Sequence, residues 1–270
     1  MTEPYFGLQH SRRENYLQVL RIMEVWFRDL EIQVPPPRPK INHGQLTYRY
    51  YEKHILQAIL AKLARIVSGL HALDALLVGG LGQEASVMQR VLDDINEDIF
   101  FMVGIQKDEL EGIAADSTSL KQEFLKAFWE EEFDNPSPLE SSQKRPMPAR
   151  SKVRANIARV HGLPDPSTND RVGRTIHSVN SGYVHAAAPH IMDMLDESDP
   201  PKYMLSSMAG TIRMVGYIEN AENYYLRGMY SFGVAAKAFG DAGLWGDILP
   251  LLQQFEEMIA LRDSGHLGDK

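Results

Sequence analysis

Between Leu46 and Gln106 the chain reads LTYRYYEKHILQAILAKLARIVSGLHALDALLVGGLGQEASVMQRVLDDINEDIFFMVGIQ, and this stretch decides the fold. Leu56, Ile59, Leu60, Leu63, Val67, Leu70, Leu73 and Leu77 recur at helical spacing, so a long helix is expected from about Leu46 to Val78. Gly79, Gly80 and Gly82 stop it and turn the chain. A second helix, about Gln83 to Gln106, turns Met88, Val91, Leu92, Ile95, Ile99, Met102 and Val103 to one side. Two long helices joined by so short a glycine turn pack antiparallel. The glycines do not form a phosphate loop, because no strand precedes them and no Lys-Ser or Lys-Thr follows.

The same reading extends outward. A first helix, Ser11 to Ile32, sets Tyr16, Leu20, Met23, Phe27 and Leu30 on one face, with Ser11 as N-cap. It runs into Val34-Pro35-Pro36-Pro37-Arg38-Pro39, read as a stiff connector or, alternatively, a ligand for a proline-binding module. A further amphipathic helix spans Leu120 to Phe133, and residues 135–151, rich in Pro and Ser, read as a flexible loop. Helices are also expected at Lys152–Val160, Thr168–Ala188, Lys202–Phe239 and Trp245–Arg262. Whether the third of these runs unbroken past Gly210, Gly216, Gly228 and Gly233 is left open by the sequence.

Alternating strand patterns are essentially missing. The fold class is therefore all-α: an up-and-down helical bundle with long antiparallel helices. Residues 1–45 form an N-terminal helix and proline-rich connector, and residues 46–270 the bundle domain, with helices from about Leu46 to Arg262. Trp26, Tyr50 and Tyr51, taken as exposed, would support a homodimer.

Composition limits function. The chain has 270 residues, 44% of them hydrophobic, enough for one large core or two modest ones. Net charge is −8, against wholesale wrapping by nucleic acid or adhesion to an anionic membrane. The charge is uneven: Asp93–Glu140 holds 14 acidic and 3 basic residues, Lys144–Arg174 holds 8 basic and 2 acidic. Either the two regions neutralise each other, or the basic segment 144–174 receives RNA or a phosphate-bearing ligand. No cysteine is present, which excludes disulfides, thiolate metal sites and cysteine nucleophiles. The N-terminus lacks a secretory pattern and no uninterrupted apolar run spans a bilayer, so a cytoplasmic protein without membrane contact is expected.

Candidate chemistry concentrates on one expected helix. Asp170, Arg174, His177, Ser181 and His185 follow at spacings of four, three, four and four, all on one face, opposite Val172, Ile176, Val179, Tyr183 and Ala186. His177 or His185 can serve as general acid/base, Arg171 and Arg174 can hold a phosphate, and Ser181 can fix an imidazole tautomer. The opposing reading is a solvated or packing face. On the 83–106 helix, Arg90 and Asp94 stand four apart and either pair along the surface or meet the His185 helix as a structural polar cluster, Arg90, Asp94 and His185. His185 and His190 are separated by Pro189 and make a weak metal pair; no metal site and no cofactor is expected. Glu-x-x-His, His-Glu-x-x-His, Gly-x-Ser-x-Gly and the dinucleotide fingerprint do not occur.

Two resemblances follow from these residues. MQRVLDDINEDIFFM (Met88–Met102) with HSVNSGYVHAAAPHIMDML (His177–Leu195) resembles a bacterial all-helical family of unknown function. That family places Arg, then an acidic residue four later, and in a later helix Ser or Tyr before Val-His. The matching residues are Arg90, Asp94, Ser181, Val184 and His185, within about Ile55–Leu195, with Asp94 where Glu is commoner. The resemblance implies a fold more than a function. RVGRTIH (Arg171–His177) is similar to the Arg…His motif of HEPN-class helical domains, whose members are metal-independent ribonucleases, with Val172 where a polar residue is usual. Two expectations result: a non-catalytic helical binding or assembly protein, or a phosphodiester-cleaving enzyme of HEPN type.

Overall fold

The glycine-linked helix pair is the centre of the bundle. The computed structural model describes residues 12–42, 44–112, 116–129, 148–160 and 179–266. Its elements are α1 (Arg12–Glu31), β1 (Arg38–Asn42), β2 (Gln45–Arg49), α2 (Ile55–Val78), α3 (Gly82–Leu110) and α4 (Asp116–Phe128). After these come α5 (Arg150–Val160), a helical turn at 179–184, α6 (Ala188–Met192), α7 (Ile212–Phe239) and α8 (Ala242–His266). Among the described residues the bundle is all-α apart from the two-stranded β1–β2 sheet and one isolated bridge between Leu195 and Tyr203.

α2 buries Ile59, Leu60, Leu63, Ile66, Leu70 and Leu73. It satisfies the length and hydropathy test for a membrane span, and 56% of that window is buried in the bundle. Gly80, at φ +71°, reverses the chain into α3, and a side chain there would collide with Ser207 and Ala209. α3 then runs antiparallel to α2, with Gly69 set against Leu92 and Met88. Val91, expected inside, lies at the surface.

α7 is the second axis of the core. Tyr225, Met229, Phe232, Ala235 and Ala236 are buried, and Gly228 admits Leu70, Met23 and Ile66 to the backbone. The helix is continuous through Gly216, Gly228 and Gly233 but begins at Ile212, with Thr211 as N-cap, not at Lys202 as expected. Gly210, at φ +80°, precedes the start. Gly240, at φ +72°, ends the helix and leads into antiparallel α8, where Ile248, Leu252 and Phe255 are buried.

Three expectations near the N-terminus are corrected. α1 is not an appendage tethered by prolines: Tyr16, Leu20, Met23, Trp26 and Leu30 belong to the same core as α2, α3, α7 and α8. Tyr16 stacks on Tyr225 with ring centres 4.6 Å apart. Trp26, expected to be exposed, is 4% exposed against Phe232, whereas Tyr51 is open. The helix expected from Leu46 starts at Ile55, because residues 38–49 form a hairpin the helical pattern concealed. Gly44, at φ +77°, suits the tight connection, and Ile41, Thr47 and Tyr48 favour extended backbone. α2 opens where the Gln57 side chain accepts from the His54 N–H at 3.0 Å, and its Nε2 donates to the Pro35 carbonyl at 3.1 Å.

α4 packs Phe124 on Phe101, 5.1 Å between ring centres. α5 lies parallel to α3, with Val160 against Gly104. Ser11, Phe133, the 135–147 part of the expected loop, and Asp170, Arg171, Arg174 and His177 fall outside the described residues.

Candidate functional site

α3 has a second buried face beside its apolar one. Ser86, Gln89, Asp93 and Asn96, at spacings of three, four and three, are each buried and turn toward α7 and the 179–184 turn. Asp93 Oδ2 accepts from Asn180 Nδ2 at 2.9 Å and from the Tyr224 hydroxyl at 3.3 Å, while Arg227 closes on Oδ1. Asn180 Nδ2 also donates to the Tyr224 oxygen at 2.9 Å. Burial, then the Asp93 charge, raises the Tyr224 pKa, so its hydroxyl stays protonated and remains a donor. One turn on, Ser231 donates to Asn96 Oδ1 at 2.6 Å. At the other end, Gln83 Nε2 donates to the His190 carbonyl at 2.7 Å and to Tyr217 at 3.0 Å, and Tyr183 sits edge-on to the His190 ring.

The outer side of α3 carries an ion-pair ladder. Buried Asp98 takes Lys62 of α2 on one oxygen at 2.7 Å and Arg150 of α5 on the other at 2.5 Å. Arg150 also reaches Asp94 at 3.5 Å and Glu97 at 3.9 Å. Arg154 pairs with Glu97 at 2.8 Å, and Arg159 with Asp108. Burial opposes the charge on Arg150, but Asp98, Asp94 and Glu97 outweigh it and hold its pKa above the ordinary value. Within residues 150–160, then, the basic segment neutralises the acidic helix beside it.

Of the residues singled out from sequence, Arg90 and Asp94 do meet, at 2.6 Å along α3. His185 is exposed; its backbone N–H donates to the Ser181 carbonyl at 3.0 Å, and Ser181 is half-buried. The 179–184 turn is rotated from its expected orientation: Val179, placed on the core face, is 54% exposed, and Asn180 is buried instead. The helix also stops sooner, with Ala186 at φ +50°. The polar contact from this segment into α3 is thus made by Asn180 on Asp93. The sequence held one signal for it: Ser86, Gln89, Asp93 and Asn96 themselves repeat at helical spacing. Among the described residues no group of three metal-binding side chains occurs.

The surface offers two features. A groove of about 780 Å³ between α1 and α2 is lined by Val25, Phe27 and Val67 with Arg21, Arg28 and His71, whose Nε2 is 2.7 Å from Glu24. The other is the hairpin. Its register pairs Pro39 with Tyr48 and Ile41 with Leu46, so these four share a face, while Arg38, Lys40, Thr47 and Arg49 share the opposite one. The apolar face is the open one: Ile41 is 77%, Leu46 64% and Tyr48 59% exposed, whereas Lys40, Thr47 and Arg49 are half-buried. Tyr50, on Trp129 at 6.0 Å, anchors the base of the hairpin. No family model, curated protein or solved structure matches the chain.

Proposed function

We propose that this chain is a non-catalytic helical protein that acts by binding or assembly, with the β1–β2 hairpin as its contact surface. The observation behind this reading is the inverted hairpin, which turns Pro39, Ile41, Leu46 and Tyr48 to solvent while Lys40, Thr47 and Arg49 on its other face are half-buried. Contiguous apolar surface of that kind marks an interaction site. The charged residues of α3 support it, since Asp93, Asp94, Glu97, Asp98 and Asp108 are engaged in holding helices together. A homodimer, a cytoplasmic setting and membership of the all-helical bacterial family belong to the same proposal.

Ile41→Ser, Leu46→Ser and Tyr48→Ser combined tests it. The variant is expected to melt within about 2 °C of wild type, because surface changes cost little. Wild type is expected to self-associate in sedimentation velocity between about 1 and 100 µM, and the variant to lose that association. Labelled RNA incubated with the protein in chelator is the counter-test. Cleavage abolished by His177→Ala or His185→Ala, with the fold intact, replaces this reading with a HEPN-like ribonuclease.

A further inference from the structure

We infer that the apolar face of the hairpin docks in the α1–α2 groove of a second copy, each protomer of a twofold dimer seating its hairpin in the groove of the other. The inference rests on the hairpin being the contact surface, and adds what that surface meets. The hairpin joins the end of α1 to the start of α2, so hairpin and groove belong to one helix pair. That pair is antiparallel, with Glu24 on His71 and Arg13 on Asp74. Val25 lines the groove, and exposed Ile32, two turns further along α1, continues the apolar wall toward the hairpin.

Size, charge and area select the occupant. From Arg21 to Arg28 the groove follows two turns of α1, a length of about 10 Å. Pro39, Ile41, Leu46 and Tyr48 span two residues along a strand and one strand spacing across, about 7 by 5 Å, and fit within it. Ala64 and Ser68 on the other wall are small and exposed, so a strand can come close to α2. The charges of the groove are mostly neutralised within the protomer, Arg28 by Glu31 and His71 by Glu24, which suits an uncharged apolar face. Arg21, without an ion pair among the described residues, supplies a cation for the Tyr48 ring. The four hairpin side chains offer on the order of 400 Å², half of the roughly 800 Å² per partner of a stable interface. Hairpin against hairpin therefore falls short. A twofold that seats each hairpin in the opposite groove engages both surfaces of both copies and reaches that size.

The test uses the full chain in sedimentation velocity. Ala64→Glu with Ser68→Glu fills the groove from two exposed helix positions and should melt within about 2 °C of wild type. It is expected to dimerise at least about tenfold more weakly than wild type, as is the hairpin triple variant. Mixed in equal amounts, these two variants should associate with each other, because the mixed pair keeps one intact hairpin and one intact groove. The chain has no cysteine, so the single variants Tyr48→Cys and Ser68→Cys report the contact directly. Oxidised together, they should form the mixed disulfide in preference to Tyr48→Cys joined to itself. This cross-link carries the test even where the groove-filled variant does not fold. Wild-type dimerisation of the folded groove variant, or cross-linking of Tyr48→Cys only to itself, overturns the inference; the assembly reading then stands if the hairpin variant is monomeric. A monomeric wild type, or a hairpin variant that dimerises like wild type, overturns both.

Discussion

Removing the Asp98 carboxylate tests whether the α3 ladder holds α5 on the bundle. Asp98 is 2% exposed and bridges Lys62 and Arg150, so Asp98→Ala leaves two cations facing each other beneath α5. Deleting one partner of a fully buried pair costs about 3–5 kcal/mol. Here the Lys62 and Arg150 side chains keep 19% and 30% of their exposure, and Arg150 retains Asp94 and Glu97, so both partly rehydrate. The expected loss is therefore about 2–3 kcal/mol, a large part of a domain's usual stability. Urea denaturation followed by helical circular dichroism measures it. A double-mutant cycle with Arg150→Ala should return a coupling of about 1–2 kcal/mol, since the two groups touch. Hydrogen exchange should show α5 amides opening first in Asp98→Ala. A loss under about 0.5 kcal/mol, or additivity of the two changes within about 0.3 kcal/mol, refutes the idea that this contact fastens α5.

Three further outcomes are expected. Gly80→Ala forces a left-handed backbone on a Cβ that meets the Ala209 backbone, and should cost about 2–3 kcal/mol, read as a lowered Tm. Tyr16→Phe deletes a 2.5 Å bond to the buried Glu222 carboxylate and should cost about 1.5–3 kcal/mol in the same urea experiment. Asp241 caps α8 by accepting from the Leu244 N–H at 2.9 Å; that bond, then Gln33, lowers its pKa below the ordinary 3.8. A depressed carboxylate stabilises the fold above its unfolded pKa, and that contribution disappears as pH falls through the lower folded value. Asp241→Ala should therefore cost about 1 kcal/mol at neutral pH and progressively less as the pH falls below the ordinary 3.8, checked by melting across that range.

The helices were legible because their signal is local. The apolar repeats in α1, α2, α3 and α7 follow the 3.6-residue turn, and Gly79, Gly80 and Gly82 mark the reversal that makes α2 and α3 antiparallel. The hairpin was hidden because its outward face is apolar: Leu46 and Tyr48 run into Leu56 and Ile59 as though they were one helical stripe. Proline at 39, which argues against a central strand, is compatible with an edge. Alternation did not reveal that choice, because twelve residues half-covered on their polar face and open on their apolar one carry no core pattern.

The sequence by itself determined the class of fold, the antiparallel centre and the presence of opposing charge blocks. Only the tertiary structure decided how far each helix is turned about its own axis. Neighbouring residues on a helix point about 100° apart, so a small rotation exchanges Asp93 for Asp94, or Val179 for Asn180, at the interior. That rotation is set by which helices surround it: α7 brings Tyr224 and Arg227 to Asp93, while α5 brings Arg150 to Asp94. These contacts are more than 40 residues apart in sequence in every case, and no local pattern encodes them.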